Sequence, residues 1–308
     1  MKKKSIFCIK LISYAVLALS IERFCHHQTR GFRPYKVISN FAYDERFSHD
    51  ARAEDHLDAI NQILSHRFTF LGDGGQGYSF LSDDNKHVLK LYKLHHTRYP
   101  HWIKDLALPP MLNTWKQKYI ALQDWKKERV FTSSKIAFDM LKKETGLVYL
   151  HLNRTIDRHP SVTIVDSIGC AHTLALDNVV FAIQLKAQPA FKNFKKLAIA
   201  KKETDIQAAI DTYLPFIAKR FMKGVGDYDD GFRRNFGEVD NELIEIDIGC
   251  FYTHSHTIDQ ETLANELRVK SDSLFQYLSK YFPEMIPYLE KSIEHTVKDA
   301  MTCKEGLS

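Results

Sequence analysis

The stretch Gly224-Val-Gly-Asp-Tyr-Asp-Asp230-Gly-Phe-Arg-Arg-Asn235-Phe-Gly237, followed by Leu243-Ile-Glu-Ile-Asp247-Ile-Gly249, decides how this chain reads. Asp230 and Asn235 stand five apart in a loop rich in Gly and Asp. Asp247 stands twelve further on, at the end of an apolar strand and directly before a glycine. Phosphoryl transfer needs this inventory: one carboxylate to orient an attacking hydroxyl, and a carboxamide with a second carboxylate to hold Mg2+ against nucleotide phosphates. Each residue alone also fits a structural Asx turn or cap. The order and spacing of the three is what a single turn does not require.

Upstream, the hydrophobic period becomes two over Phe68 to Leu71, Tyr78 to Leu81 and His87 to Lys93, which predicts three short antiparallel strands. Gly72-Asp-Gly74-Gly75-Gln-Gly77 lies between the first two. A dinucleotide fingerprint needs a helix directly after its glycines and a Walker loop needs Gly-Lys-Ser/Thr, and neither is present. Glycines between strands suit a hairpin that covers phosphates, because backbone N–H groups approach where no side chain intervenes. A plain glycine-rich hairpin is the alternative. On the third strand, alternation puts Val88 and Lys90 on one face, where the Val can touch an adenine and the ammonium can reach phosphates. A solvated strand lysine is the plain reading of the same residue.

In this order the motifs resemble those of the protein-kinase-like fold, from Phe68 to Gly249. Gly72, Gly74 and Gly77 match its glycine-rich loop, with Gly75 beside them as a further candidate for cofactor binding, and Val88 and Lys90 match its third strand. His159-Pro160 before Val162 resembles the start of the fourth strand, and Val179 to Lys186 the strand leading to the hinge. Asp230 and Asn235 fall on the catalytic Asp and Asn, and Asp247-Ile-Gly249 on the metal motif. The resemblance implies an α+β, two-lobed fold with a small antiparallel-sheet N-lobe and a short helical C-lobe. It implies ATP and Mg2+ as cofactors, Asn235 and Asp247 as metal ligands, and Asp230 and Lys90 as catalytic residues. Glu144, ending the amphipathic stretch Ser133 to Thr145, is the choice for the ion-pair partner of Lys90, with Glu128 and Asp139 as alternatives. More narrowly, Gln28-Thr-Arg-Gly-Phe32 and Lys143-Glu-Thr-Gly-Leu-Val-Tyr-Leu-His-Leu-Asn153 resemble exported kinase-like proteins of unassigned function from chlamydia-related bacteria.

The departures from that pattern are specific. Tyr228-Asp229 stands where the family has His-Arg before the catalytic Asp, so regulation through a phosphorylated activation loop is not expected. Phe232 replaces the usual Lys, leaving Arg233 or Arg234 to face a transferred phosphoryl. No Ala-Pro-Glu follows Gly249, and 59 residues remain there, short for a peptide-docking lobe. The expected function is therefore phosphotransfer from ATP to a non-peptide hydroxyl, such as a small molecule or lipid. The alternative is an exported pseudokinase-like module that binds nucleotide or a host protein without turnover. Nucleotide transfer by the same residues cannot be separated from phosphotransfer.

The rest of the chain sets boundaries. Met1 to Ser20 reads as an export leader, with Lys2 to Lys4, the apolar run Leu11 to Leu19 and small residues at Ala18 and Ser20. The run is about half of the ~20 residues needed to cross a bilayer, so cleavage near Ser20 is favoured over an uncleaved anchor, and membrane contact is expected only in the anchored case. Residues 21–66 form an extension, 67–188 the N-lobe with an insert at 94–130, and 189–308 the helical C-lobe. Helices are predicted at Asp55 to Leu64, Thr114 to Arg129, Ser133 to Thr145, Glu203 to Met222, Glu261 to Tyr281 and Met285 to Met301. Four of the five net positive charges sit in Met1 to Ser20, which leaves a nearly neutral body and argues against a nucleic-acid partner. The basic runs Lys116 to Arg129 and Lys192 to Lys202 read as solvated helix faces. The five Cys are scattered singly, without metal or dithiol spacing, although disulfides among Cys25, Cys170, Cys250 and Cys303 are open in an oxidising compartment. His254-Ser-His256 reads as solvated loop histidines in preference to a metal pair.

Overall fold

The computed structural model describes residues 2–48, 57–229, 231–255 and 258–305. In chain order the elements are α1 (Lys2–Gln28), α2 (Leu57–Leu64), β1 (Phe68–Asp73), β2 (Gly77–Ser82), β3 (His87–Tyr92), α3 (Trp102–Asp105), α4 (Pro110–Met140), α5 (Lys142–Thr145) and β4 (Leu147–His151). Then come β5 (Ser161–Val165), β6 (Ala171–Ala175), β7 (Phe181–Leu185), β8 (Gln188–Pro189), α6 (Phe194–Ile199), α7 (Glu203–Met222), β9 (Val225–Asp227), β10 (Phe236–Val239), β11 (Glu242–Glu245) and β12 (Phe251–Thr253). Helices α8 (Gln260–Lys270), α9 (Asp272–Tyr281) and α10 (Ile286–Glu305) close the chain. The fold is α+β with antiparallel pairing dominant, as the sequence implies. It divides into two compact units, each discontinuous: Met1–Ala107 with His151–Phe181, and Leu108–Leu150 with Ala182–Ser308.

In the first unit, β1, β2 and β3 form the expected antiparallel meander, with Phe70 opposite Phe80 and Phe80 opposite Leu89. The register shifts between Phe70 and Gly72, a bulge that bends the strand just before the glycine cluster. On its other side β1 pairs in parallel with β5, and β5 pairs antiparallel with β6. Strand β6 was not foreseen, because Leu174 is the one residue of its five that is buried, too little pattern for a period to show. Phe32 packs its ring among Tyr78, Phe80 and His172 at 5.2, 5.4 and 5.6 Å. The Tyr78 hydroxyl donates to the Gly31 carbonyl at 2.7 Å. Gly31 has φ +71°, and a Cβ there would strike the His26 ring, so glycine is required. The motif around Phe32 therefore does packing work, fastening the extension to the sheet. No helix among the described residues is long and apolar enough to cross a membrane.

The second unit is built around α7, whose bounds match the prediction. Ile206, Ile210, Tyr213, Leu214, Ile217 and Phe221 recur at helical spacing, and all are buried. They share one core with Leu263 and Leu267 of α8, Leu274 and Leu278 of α9, and Leu289 and Ile293 of α10. The single helix predicted over Glu261 to Tyr281 is broken at Ser271, where two helix ends meet. Conversely, the two helices predicted over Thr114 to Thr145 are mostly one, since no Gly or Pro interrupts Val130 to Thr132 and the Ser134 hydroxyl bonds back to the Val130 carbonyl. Gly146, at φ +61°, ends α5. Two small sheets complete the unit: β10 paired antiparallel with β11 and β8, and β12 paired antiparallel with β9.

Candidate active-site elements

In the second unit, strand pairing draws the separated motif residues together. The β9–β12 pair sets Asp227 opposite Phe251, and the Tyr228 N–H donates to the Cys250 carbonyl at 3.0 Å. The loop after β9 thus starts beside the turn that precedes β12. From the other side, the β10–β11 hairpin sets Phe236 opposite Glu245, and the Ile246 N–H donates to the Asn235 carbonyl at 2.6 Å. That bond brings the Asn235 backbone to Ile246, the residue before Asp247, while the Asn235 carboxamide packs toward Gly231, within 2.8 Å of where a Cβ there would stand. Asn235 is buried and Asp247 exposed. One Asp247 carboxylate oxygen accepts the Gly249 N–H at 3.1 Å. A carboxamide and a carboxylate are hard-oxygen donors of the kind Mg2+ takes. Among the described residues no group of three His, Cys, Asp or Glu side chains forms a metal site.

Asp230 lies outside the described residues, as does His256. The residues around Asp230 show how the loop is held. Asp229 accepts the Gly231 N–H at 2.9 Å, and its own N–H donates to Asp227 at 2.9 Å. Phe232 is buried against Phe191, stacked at 4.5 Å, with Phe194 and Tyr213 edge-on. Burying such a ring contributes about 2 kcal/mol, so the residue that replaces the expected Lys anchors the loop. Arg233 donates to the Tyr277 hydroxyl at 2.7 Å, while Arg234 is exposed. Tyr228 stacks on Tyr252 at 4.3 Å. His254, in the loop after β12, packs its ring on Phe221 at 4.3 Å and 31°, and both its ring nitrogens are buried, so it is a loop histidine but not a solvated one.

Behind the loop lies a buried charge cluster that no sequence motif announces. The Arg220 guanidinium, on α7, contacts both Glu245 oxygens at 2.6 and 2.7 Å and lies 3.7 Å from Asp227 and 4.0 Å from Glu266. The buried Lys270 ammonium donates to the carbonyls of Asp227 and Asp229, fixing the backbone that leads to Asp230. Burial drives the Glu245 carboxyl up to about 8 against the pull of Arg220, with the Asp227 charge adding to the rise. Asp227 and Glu266 are also raised, by burial first. The three acids share Arg220, with Lys270 nearby, and burial shifts each of them toward its neutral form.

The turn carrying Asp247 has its own brace. The Ser133 hydroxyl, fully buried on α4, donates to the Ile248 carbonyl at 2.6 Å and accepts the Phe251 N–H at 2.7 Å. The Arg129 guanidinium donates to the Cys250 sulfur at 3.2 Å. Cys25, Cys170 and Cys250 are free thiols. Glu144, expected as the partner of Lys90, receives Lys223 at 2.7 Å and Lys219 at 3.1 Å from α7. Burial opposes its ionisation, yet the hydrogen bonds from the two lysines outweigh it and hold the carboxyl below the usual range.

In the first unit, the glycine cluster is a hairpin closed by the Gly74 N–H on the Gly77 carbonyl at 2.9 Å. Gly72, Gly74 and Gly75 face open space, with no atom within 4 Å of where a Cβ would stand, whereas a Cβ at Gly77 would lie 3.0 Å from the Leu91 carbonyl oxygen. Packing therefore requires glycine at 77 alone. The other three leave an uncovered backbone that a ligand can approach. Lys90 sits opposite Ser79 on β3, half-buried, with Val88 buried on the same strand. Lys93, which belongs to no sequence motif, ties the hairpin: its ammonium meets Asp73 at 3.2 Å and the Gly74 carbonyl at 2.7 Å, and lies over the Tyr78 ring.

No family model matches the chain, and no curated protein does. Among solved structures, the bifunctional kinase-methyltransferase WbdD is similar at 11% identity and a TM-score of 0.33, over 74% of this chain and 43% of that one. WbdD in a co-crystal with the kinase inhibitor LY294002 is similar at 12% identity and a TM-score of 0.36, over 76% and 45%. A further WbdD structure matches at 10% identity and a TM-score of 0.34, over 76% and 46%. The chain spans less than half the length of these structures. Likeness at this level assigns no activity.

Proposed function

We propose that the chain is an ATP- and Mg2+-dependent phosphotransferase of kinase-like fold, acting on a non-peptide hydroxyl. The observation that supports this reading is the Ile246–Asn235 backbone bond, which joins the segments carrying Asn235 and Asp247, with the Asp247 side chain exposed. The succession of elements supports it: strand, Asp-rich loop, hairpin, Asp-Ile-Gly turn and returning strand follow one another from β9 to β12. In this reading Asn235 and Asp247 hold the metal, and the hairpin of Gly72, Gly74, Gly75 and Gly77 lets phosphates approach its backbone closely. Val88 contacts the base and Lys90 a phosphate. Mg2+, when bound, supplies charge neutralisation for the phosphates. Asp230 accepts the proton of the acceptor hydroxyl as the new P–O bond forms at the γ-phosphorus and the bond to the leaving ADP oxygen breaks. Arg234 stands in for the missing Lys. Cleavage of the leader after Ser20 and export belong to the same proposal.

The burial of Phe232 and the stacking of Tyr228 on Tyr252 favour a second reading, a nucleotide-binding module without turnover. Thermal unfolding separates both from a purely structural loop. ATP with Mg2+ raises the Tm of the full chain, because a ligand that binds only the folded state stabilises it by mass action. No shift at millimolar nucleotide removes both readings.

A further inference from the structure

The basic run Lys116 to Arg129 is only in part the solvated face that its charge suggests: Lys118 and Arg129 are exposed, Lys126 and Lys127 half-buried and Lys116 buried. Helix α4 buries Lys116 (5% exposed), Ile120 and Gln123 (8%), and turns Trp115 (67%) and Trp125 (56%) outward. An ammonium inside and two indoles outside reverses the preference of water, which favours exposed lysines and covered aromatic rings. The outward residues are also ordered along the helix. Met111, Trp115, Lys118, Leu122, Trp125 and Arg129 recur at intervals of four, three, four, three and four, so they form a single stripe, and all six are exposed. The stripe runs for roughly 27 Å at ~1.5 Å per residue. Its charges are cationic only, since Asp124 and Glu128 fall on another side of the helix. Its side chains are already ordered: the Arg129 guanidinium lies over the Trp125 ring at 5.6 Å while bonding the Cys250 sulfur, and Trp115 stacks on Tyr119.

We propose that this stripe docks the protein on an anionic phospholipid bilayer. Charge complementarity selects the occupant. Indoles settle at the level of lipid headgroups, Met111 and Leu122 reach the acyl boundary, and Lys118 and Arg129 meet lipid phosphates with no carboxylate in the stripe to repel them. A straight, one-signed, aromatic stripe fits a broad negative surface, whereas a protein partner would be met by a rim of both signs. The inference is independent of the phosphotransferase reading, and it holds whether or not the leader is removed, because residues 111–129 stay with the body.

The test uses the full chain carrying Trp102→Phe, in which Trp115 and Trp125 are the remaining indoles. Vesicles of phosphatidylcholine with phosphatidylglycerol shift the emission to the blue, and vesicles of phosphatidylcholine alone shift it far less. Trp115→Ala with Trp125→Ala, measured by co-sedimentation, lowers partitioning about tenfold, and Lys118→Glu weakens the preference for the anionic lipid. The Tm of these variants stays near the parent's, because the altered side chains are exposed. Equal partitioning of parent and stripe variants would assign binding to α1 and overturn the proposal. So would an unshifted emission, or a change in oligomeric state on mutation without vesicle binding, which would make the stripe a contact between copies.

Discussion

Ser133 grips the turn at Ile248 from both sides: its hydroxyl donates to the Ile248 carbonyl at 2.6 Å and accepts the Phe251 N–H at 2.7 Å, all within a fully buried setting. Removing the hydroxyl leaves a buried donor and a buried acceptor unmet, at about 1–3 kcal/mol. Ser133→Ala is therefore expected to lower the Tm by several degrees and to weaken Mg2+-dependent nucleotide binding more than Mg2+-independent binding. Paired thermal and binding titrations check this, and an unchanged affinity would reduce Ser133 to a fold residue.

The glycines of the first unit separate by role. Gly72→Ala and Gly74→Ala meet open space and are expected to fold with an unchanged Tm while losing nucleotide affinity, since each adds a methyl to the face that would receive phosphates. Gly77→Ala, 3.0 Å from the Leu91 carbonyl oxygen, is expected to lower stability instead. Loss of stability at all three positions, with no selective loss of binding, would make the hairpin a structural turn.

The Arg220 cluster sets a pH dependence. Glu245, raised to about 8 in the fold from an ordinary value near 4.5, favours its neutral form there. Its contribution to stability is complete below the ordinary value and is lost as pH climbs to about 8. The unfolding free energy should fall between about pH 5 and 8, by up to ~1.4 kcal/mol per unit for one proton. Glu245→Gln should flatten that slope in denaturant titrations at stepped pH. A slope identical in parent and variant would place the retained proton elsewhere.

Lys270 is expected to hold the loop that carries Asp230. Lys270→Met keeps the apolar stem but abandons the carbonyls of Asp227 and Asp229. Nucleotide affinity should persist while any phosphotransfer drops, because orienting the acceptor matters only on the way to the transition state. Parallel losses of both would show that the ammonium supports the whole turn.

What the sequence disclosed follows from where the physics is local. The β1–β3 meander shows in a period of two and α7 in a period of 3.6, and Asn235 and Asp247 flank the β10–β11 hairpin. Long-range devices left no local signal. Ser133 is one hydroxyl in a helix, 115 residues from its partner Ile248. Arg220 resembles any last-turn basic residue until the fold closes Glu245 over it. Glu144 sits in a run of lysines that looks solvated, yet its partners are Lys219 and Lys223, and Lys93 became visible only once β2 and β3 paired. On α4 the pattern misled, since aromatic and basic residues at helical spacing read as a core-and-water helix until burial showed which face is turned out.

The central claim is that Asn235 and Asp247 form a metal-dependent nucleotide site with Asp230 as its acceptor-orienting base, and equilibrium nucleotide binding by the full chain, with and without Mg2+, tests it most directly. The account predicts that Asp247→Asn abolishes the Mg2+-dependent part of binding, that Lys90→Ala weakens binding while metal dependence persists, and that Asp230→Asn binds like the parent. Identical binding by the parent and all three variants, or no binding by the parent at millimolar nucleotide, would contradict it and return these residues to turns and caps.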